Sequence, residues 1–398
     1  MDLSRREEEL LVEKLSSRGL DVDEIIKGLQ DFRLEVPSWG FMNTGTRFAV
    51  FEQPGIPGNL KERLDGLVEV KQRTGIADRM ATIHPWDYEG ADPEEIGSYA
   101  RERGVSIASV TPALFQDPDF MLGSLTHSQA RVRNKAVGLV LQALETGRAA
   151  GASVLSLWLP DGSDYPGQVD FRQRKKHLLD SLREIYDSLD GMEMLVEYKL
   201  FEPAFYHTDL SDWGMADWIC RSLGGKARVL VDLGHHAHGV NIEHIVAFLH
   251  DEDRLGGFHV NNRKYADDDL TVGAVNPYEV FLILNEIVAG WHNGLRRDLY
   301  FAIDQSSGIK PKLGSLLQSV DAVHRRLAQA LLVNRRRLRA ARDDCNVIAA
   351  EECLKEAFQA DVEPLLRMVR RRMGCSAEVL DARAAHDPRA GGAWREEK

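Results

Sequence analysis

Cysteine is scarce in this 398-residue chain: Cys220, Cys345, Cys353 and Cys375, with no CxxC pair and no zinc-finger spacing. That excludes a disulfide scaffold and a cysteine-based zinc site, and leaves free thiols of a reducing compartment as the expectation. No apolar run approaches the ~18 residues needed to span a bilayer. The charged opening "MDLSRREEELLVEKL" lacks the apolar stretch of a secretory signal, so a cytoplasmic protein is expected. A basic excess is also missing, with 50 Lys and Arg against 62 Asp and Glu, net −12. Such a surface repels phosphate backbones and anionic lipid, and neither nucleic acid nor a membrane is expected as partner. No Gly-rich phosphate turn follows the first apolar run, which argues against an open nucleotide-binding sheet.

What the chain does have is alternation. Two short helices are predicted first, the second opening on an Asp cap in "DVDEIIKGLQDF". A Gly-, Pro- and aromatic-rich stretch, 36–58, follows and is too long for a simple connection. Then short apolar runs recur, each separated from the next by a longer amphipathic segment. With "LEVPS", the runs at 79–84, 105–110, 153–159, 193–199, 228–234, 256–261 and 299–304 make eight strand candidates. Helices are predicted between most of them, over 127–150, 168–189, 210–223, 241–251 and 276–293. Strands alternating with crossover helices imply a parallel sheet, and eight strands close a barrel. The expected fold class is α/β, a (β/α)8 TIM barrel with N-terminal helices and a C-terminal helical extension. The boundaries read as 1–33 for the N-terminal helices, 34–330 for the barrel, 331–375 for the extension and 376–398 for a frayed tail. The run "RRRLRAAR" reads as a solvated helix face rather than a nucleic-acid patch.

In a parallel barrel, function gathers at the C-terminal ends of the strands. Four consecutive strand candidates end in a carboxylate or imidazole: "MLVEYK" with Glu197, "VLVDLGHH" with Asp232, "GGFHVNN" with His259 and "YFAID" with Asp304. Three carboxylates that close would have to take up protons or stay open to water. A divalent ion removes the conflict, and an oxygen-dominated set suits Mn²⁺, Mg²⁺ or Co²⁺. The competing reading is a set of salt bridges with Lys199, Arg263 and Lys264. A second cluster is expected from "YADDDL": Asp267 and Asp269, two apart in an extended segment, point the same way. With His235 they would make a second site, with Asp232 shared. Asp268 would point elsewhere, and His236 reads as a supporting residue rather than a ligand.

The phrases "VPSWG…TGTRFA", "WLPDGSDYPGQ", "EYKLFEPAFY", "VDLGHHAHGVNIE", "GGFHVNNRKYADDDL" and "AIDQS" together resemble the bacterial L-rhamnose isomerases, closest to their broad-specificity branch. The resemblance spans nearly the whole chain. It implies a xylose-isomerase-like TIM barrel, a homotetramer, two divalent cations (Mn²⁺ first, with Co²⁺, Mg²⁺ or Zn²⁺ as alternatives) and an aldose or ketose substrate. Its structural metal site falls on Glu197, Asp232, His259 and Asp304, and its catalytic one on His235, Asp267 and Asp269. Lys199 and Ser306 match residues near the sugar, Trp158 matches an aromatic lining the pocket, and Phe48 one that closes over a neighbouring subunit's pocket. Trp86 is expected to offer a second flat face. Three departures stand out: Tyr198 where relatives read His, Asn262 where they carry an acid, and His84-Pro85-Trp86-Asp87 with one residue fewer between His and Pro. With the strand register kept, His84, the ring-opening residue of relatives, would face the opposite side, and a local deletion would restore it.

The implied reaction is a metal-mediated 1,2-hydride shift taking L-rhamnose to L-rhamnulose, with Asp304, Lys199 and His84 as catalytic residues. L-Mannose, L-lyxose and D-allose/D-allulose are alternative sugars. A metal-dependent phosphodiesterase on the same barrel would need a basic groove, and a catalytically dead sugar-binding protein would not need every ligand present.

Overall fold

A computed structural model of the chain describes residues 3–46, 49–202, 206–376 and 378–381. All eight predicted strands form: β1 (Glu35–Pro37), β2 (Arg79–His84), β3 (Ser106–Pro112), β4 (Val154–Trp158), β5 (Glu193–Glu197), β6 (Ala227–Asp232), β7 (Leu255–Val260) and β8 (Tyr300–Ile303). They close a barrel in chain order, β8 returning to β1, with every neighbouring pair parallel. Strands buried on both faces read as near-continuous apolar runs rather than alternating ones, which is how "VLVD" and "MLVE" look. The five predicted crossover helices run from Ala130–Ala150, Phe171–Asp187, Trp213–Leu223, Ile242–Asp251 and Pro277–His292. Polar side chains cap four of them: Asp170 accepts from two backbone N–H groups of its helix, and Asp212, Asn241 and Asn276 from one each.

The predicted Asp cap of the second helix is present, with Asp21 accepting from Asp23 N at 3.0 Å and Glu24 N at 3.1 Å. The irregular stretch after β1 holds a 3-10 turn, Ser38–Phe41, and a hairpin of Thr44–Thr46 with Ala49–Phe51. A small sheet that sequence periodicity did not suggest joins Gly162–Ser163, Phe201–Glu202 and Tyr206–Thr208. The C-terminal helices fold back on this same chain. Leu365, Leu366 and Val369 are fully buried, Arg325 pairs with Glu363 at 2.5 Å and Arg367 with Glu7 at 2.6 Å. The basic run is a helix, Arg335–Asp343. Arg335 donates to Asn285 Oδ1 at 2.7 Å and Arg337 pairs with Glu356 at 2.7 Å. Among the described residues no helix is long and apolar enough to cross a membrane.

Two apolar cores result. The larger lies between the strands and the outer helices. The smaller, Leu195, Leu230, Tyr300 and Ala302 with Val154 beside them, fills the barrel axis. Side chains two apart along a strand share a face. Glu197 therefore stands one layer above Leu195, Asp232 above Leu230 and Asp304 above Ala302. The apolar plug is the floor of the polar site, and truncating Leu230 to Ala would cost about 2–5 kcal/mol and lower that floor. Gly257 enables the same geometry in β7: a Cβ there would lie 2.0 Å from the Tyr300 carbonyl oxygen, a backbone atom that cannot swing aside.

Candidate active site

One ligand atom from each of Glu197, Asp232, His259 and Asp304 lies within 4.8 Å of the others. The strand register brings them level: Asp232 pairs with His259, and His259 with Ala302, two residues before Asp304. His259 Nδ1 is 3.1 Å from Glu197 Oε1, 3.4 Å from Asp304 Oδ2 and 3.8 Å from Asp232 Oδ2. A single nitrogen facing three carboxylates can share one proton among them at best. Glu197, Asp232, His259 and Asp304 could all ligate a divalent cation at once, so the donor set fits such an ion. Supporting donors hold the oxygens in place. Asp232 accepts from Gly234 N at 2.6 Å and from Asn261 Nδ2 at 3.1 and 3.2 Å, and Asp304 accepts from Trp39 Nε1 at 2.8 Å. Among the described residues no Lys or Arg forms an ion pair with Glu197, Asp232 or Asp304. Arg263 instead donates to the Leu233 carbonyl and lies 3.9 Å from Glu279.

The second cluster gathers Asp232, His235 and Asp267. His235 Nδ1 lies 3.0 Å from the Tyr198 carbonyl, where it can only donate. That tautomer leaves Nε2, 3.2 Å from Asp267 Oδ1, with its lone pair free for a metal. Asp267 also has a cationic partner: Lys199 Nζ is 2.5 Å from its Oδ2 and 2.6 Å from Glu202 Oε2. The three aspartates thus have three fates. Asp268 points elsewhere and closes the loop, its carboxylate accepting from Lys264 N and Tyr265 N. Asp269 is not in the extended backbone that the two-residue spacing assumed. Its φ is +46° and the segment is a bend closed by an Asn262–Leu270 bridge. Its carboxyl still feels Asp267, Asp304 and Asp232 but is not among the three converging atoms.

Electrostatics without an ion are strained in a consistent way. Burial opposes charge on His259 and His235, but the surrounding carboxylates outweigh it and push the imidazoles up to about 9 and about 10. Burial, with Glu197, Asp304 and Asp267 nearby, pushes Asp232 up to about 7 against the pull of His235. Burial raises Asp304 as well, and holds Asp269 well above the carboxylate range. Asp267 is held low: His235 and Lys199 outweigh its burial. The cluster retains protons that a metal would displace.

The residues expected near a sugar have the following surroundings. Lys199 Nζ is 4.9 Å from the Trp158 ring centre. Phe115, which sequence reading did not single out, bridges Trp86 at 5.4 Å and Trp158 at 5.2 Å. Ser306 is turned to Thr44, donating to its Oγ1 at 2.8 Å. Phe48 lies outside the described residues. His84 ends β2 on the side shared with Thr82; both sit by Tyr88, the His84 ring at 6.4 Å. Its buried Nδ1 finds no hydrogen-bond partner among the described residues, so the structure does not bond it to the carboxylate clusters. Tyr198 and His236 bond to each other, hydroxyl to Nε2, at 2.6 Å, and burial takes His236 down to about 3, a neutral support. Trp39 and Asn261 were also missed. Each stands on or just beyond a strand end, the one sequence signal that could have flagged them.

Residues 72–294 match the family described as Xylose isomerase-like TIM barrel. The chain is 37% identical over 383 residues to the probable sugar isomerase of Mesorhizobium japonicum, covering 94% of this chain and 89% of that one. It is 38% identical over 394 residues to the probable sugar isomerase of Rhizobium meliloti, covering 96% and 91%. A solved L-ribulose 3-epimerase superposes with a TM-score of 0.54 over 82% of this chain and 97% of that chain, at 11% identity, which speaks for the fold. With its closed eight-stranded parallel barrel and these relatives, the chain belongs to the xylose isomerase-like TIM-barrel family.

Proposed function

We propose that the chain is a metal-dependent aldose–ketose isomerase acting on L-rhamnose, with L-mannose, L-lyxose and D-allose/D-allulose as the alternative substrates. One observation carries the reading: four ligating groups end four consecutive strands and meet within 4.8 Å, beside a second cluster that shares Asp232. The sugar-isomerase relatives support it. Glu197, Asp232, His259 and Asp304 would hold one divalent cation, and His235, Asp267, Asp269 and the shared Asp232 a second, with Mn²⁺ the first choice. Bound there, the two cations supply Lewis-acid polarisation of sugar oxygens and a water of lowered pKa.

The protein's own residues do the rest. Trp158, Trp86 and Phe115 form an apolar wall for the sugar carbons and keep water out. Lys199, which Asp267 and Glu202 keep protonated against the cost of its burial, stabilises negative charge developing on a sugar oxygen. Asp304, at the end of β8, is assigned the proton exchange with the ring oxygen or anomeric hydroxyl during opening. His84, kept neutral by burial, assists that step in this reading, and Ser306 and Phe48 contact the sugar. In a 1,2-hydride shift no side chain removes the C2 hydrogen. In this reading the enzyme works in the cytoplasm, in keeping with its charged opening segment, and as a homotetramer, in keeping with its resemblance to rhamnose isomerases.

The test is one panel of aldoses with chelated protein, before and after Mn²⁺. Activity should vanish on chelation, return with Mn²⁺ and be highest on L-rhamnose, and a C2-deuterated aldose should deliver its label to C1. Full turnover after exhaustive chelation would overturn the metal assignment, and complete washout of label would overturn the hydride route.

A further inference from the structure

The phrase His84-Pro85-Trp86-Asp87 ends in a carboxylate that the proposed reaction does not use. Asp87 is buried, as are Ser38 and Arg63. Its Oδ1 accepts from Arg63 Nη1 at 2.5 Å. Its Oδ2 accepts from Ser38 Oγ at 2.5 Å and from Ile83 N at 2.7 Å. One carboxylate therefore joins three elements: the end of β1, the end of β2 and the helix Leu60–Thr74 that carries Arg63. Burying an ion pair costs desolvation that its attraction often only offsets, so stability alone is a weak reason for it.

What the joint touches suggests a better one. Ser38 is followed by Trp39, whose Nε1 donates to Asp304 Oδ1 at 2.8 Å. Asp87 is preceded by Trp86, whose ring packs edge-on against Phe115 and through it on Trp158. Two indoles belonging to the site, one steadying a metal-ligating carboxylate and one in the aromatic wall, thus hang from backbone tied together by one side chain.

We propose that Asp87 is a positioning residue: through Ser38 and the backbone of Ile83 it fixes Trp39 and Trp86 relative to each other, and with them the Asp304 carboxylate and the wall against which the sugar lies. The inference rests on the proposed function, its substrate arm on the isomerase activity and its Mn²⁺ arm on the metal assignment. A small misplacement of such groups is enough to slow a reaction strongly.

The experiment compares Asp87→Asn, Ser38→Ala and the double variant on two readouts beyond stability. The first is Mn²⁺ binding to the chelated protein without sugar, by calorimetry or electron spin resonance. The second is the split between KM and kcat. Asp87→Asn should weaken Mn²⁺ binding about tenfold, the scale of a lost support behind a ligand, and raise KM more than it lowers kcat. Ser38→Ala leaves the Arg63–Asp87 pair intact and should shift both readouts the same way by less. The double variant should be no worse than Asp87→Asn, because both act through one link. A folded Asp87→Asn protein with a lowered Tm but Mn²⁺ affinity and KM within about twofold of the parent would overturn the proposal. Should Asp87→Asn not fold, Ser38→Ala decides on the same readouts. If the parent protein turns over no aldose, the isomerase reading fails while the Mn²⁺ titration still tests the joint.

Discussion

The four-residue cluster of Glu197, Asp232, His259 and Asp304 and the three-residue cluster of Asp232, His235 and Asp267 share Asp232 but are made from different kinds of chain. Glu197, Asp232 and His259 lie within strands, Asp304 follows the last residue of β8, and among the described residues no lysine or arginine pairs with the three carboxylates. The three-residue cluster adds His235 and Asp267, both beyond their strands, and Asp267 already has Lys199 at 2.5 Å. A strand end is placed by the register of its neighbours, so it stays where it is whether or not an ion arrives. A loop aspartate with a lysine on one oxygen exchanges partners. In the proposed reading, an ion at the four-residue cluster would be the tightly held one and an ion at the three-residue cluster the one that comes and goes.

Breaking the shared residue should have the largest effect. Asp232→Asn should remove both ions and cut kcat/KM by roughly three orders of magnitude, at or beyond the loss of one preorganised electrostatic contact. Metal content by mass spectrometry should then fall well below that of the parent. Asp267→Ala should separate the clusters: one ion is retained, the Tm in Mn²⁺ stays close to the parent's, and kcat falls about a hundredfold. Retention of both ions would show that Asp267 serves Lys199 alone.

The pH dependence of the metal-free protein sharpens the same contrast. His259, His235 and Asp232 are all raised above their ordinary values, to about 9, about 10 and about 7. Each binds its proton more tightly folded than unfolded. The stability from the histidines is whole below their unfolded value of about 6.5, and that from Asp232 below about 4. It is lost as pH rises through about 7 for Asp232 and through 9 to 10 for the imidazoles. Thermal melts in chelator should show Tm falling from pH 6 to 10. In saturating Mn²⁺, which takes the place of those protons, the decline should be largely absent. The smallest effect is expected from Asp269→Asn, a weakening of the second ion by about tenfold or less with the first unchanged, read by calorimetric Mn²⁺ titration. No change at all would remove Asp269 from the ligand set.

The barrel was legible because its signals are local. "VLVD" and "MLVE" show the apolar density of strands covered on both sides, and longer amphipathic segments separate most of the eight runs. The four-residue cluster was legible for a related reason. Glu197, Asp232 and Asp304 each stand two residues beyond an interior apolar residue, so a period of two carries them onto the barrel axis. The aspartate triplet was read less well. The extended backbone assumed for it fails at Asp269, where φ is positive, and nothing in "YADDDL" announces the bridge from Asn262 to Leu270. Trp39 and Asp304 are 265 residues apart, and no local pattern pairs them.

The order of strands, their number and the acids at their ends were thus determined by the sequence itself, because side-chain periodicity and burial act between near neighbours. The tertiary structure alone decided which oxygen of Asp267 meets Lys199 and which meets His235, that Asp268 closes its own loop, that His84 lies beside Tyr88, and that Asp87 ties Ser38 to Arg63. Those outcomes depend on where loops and side chains end up once the barrel has closed, when distant groups compete for the same few hydrogen bonds and charges.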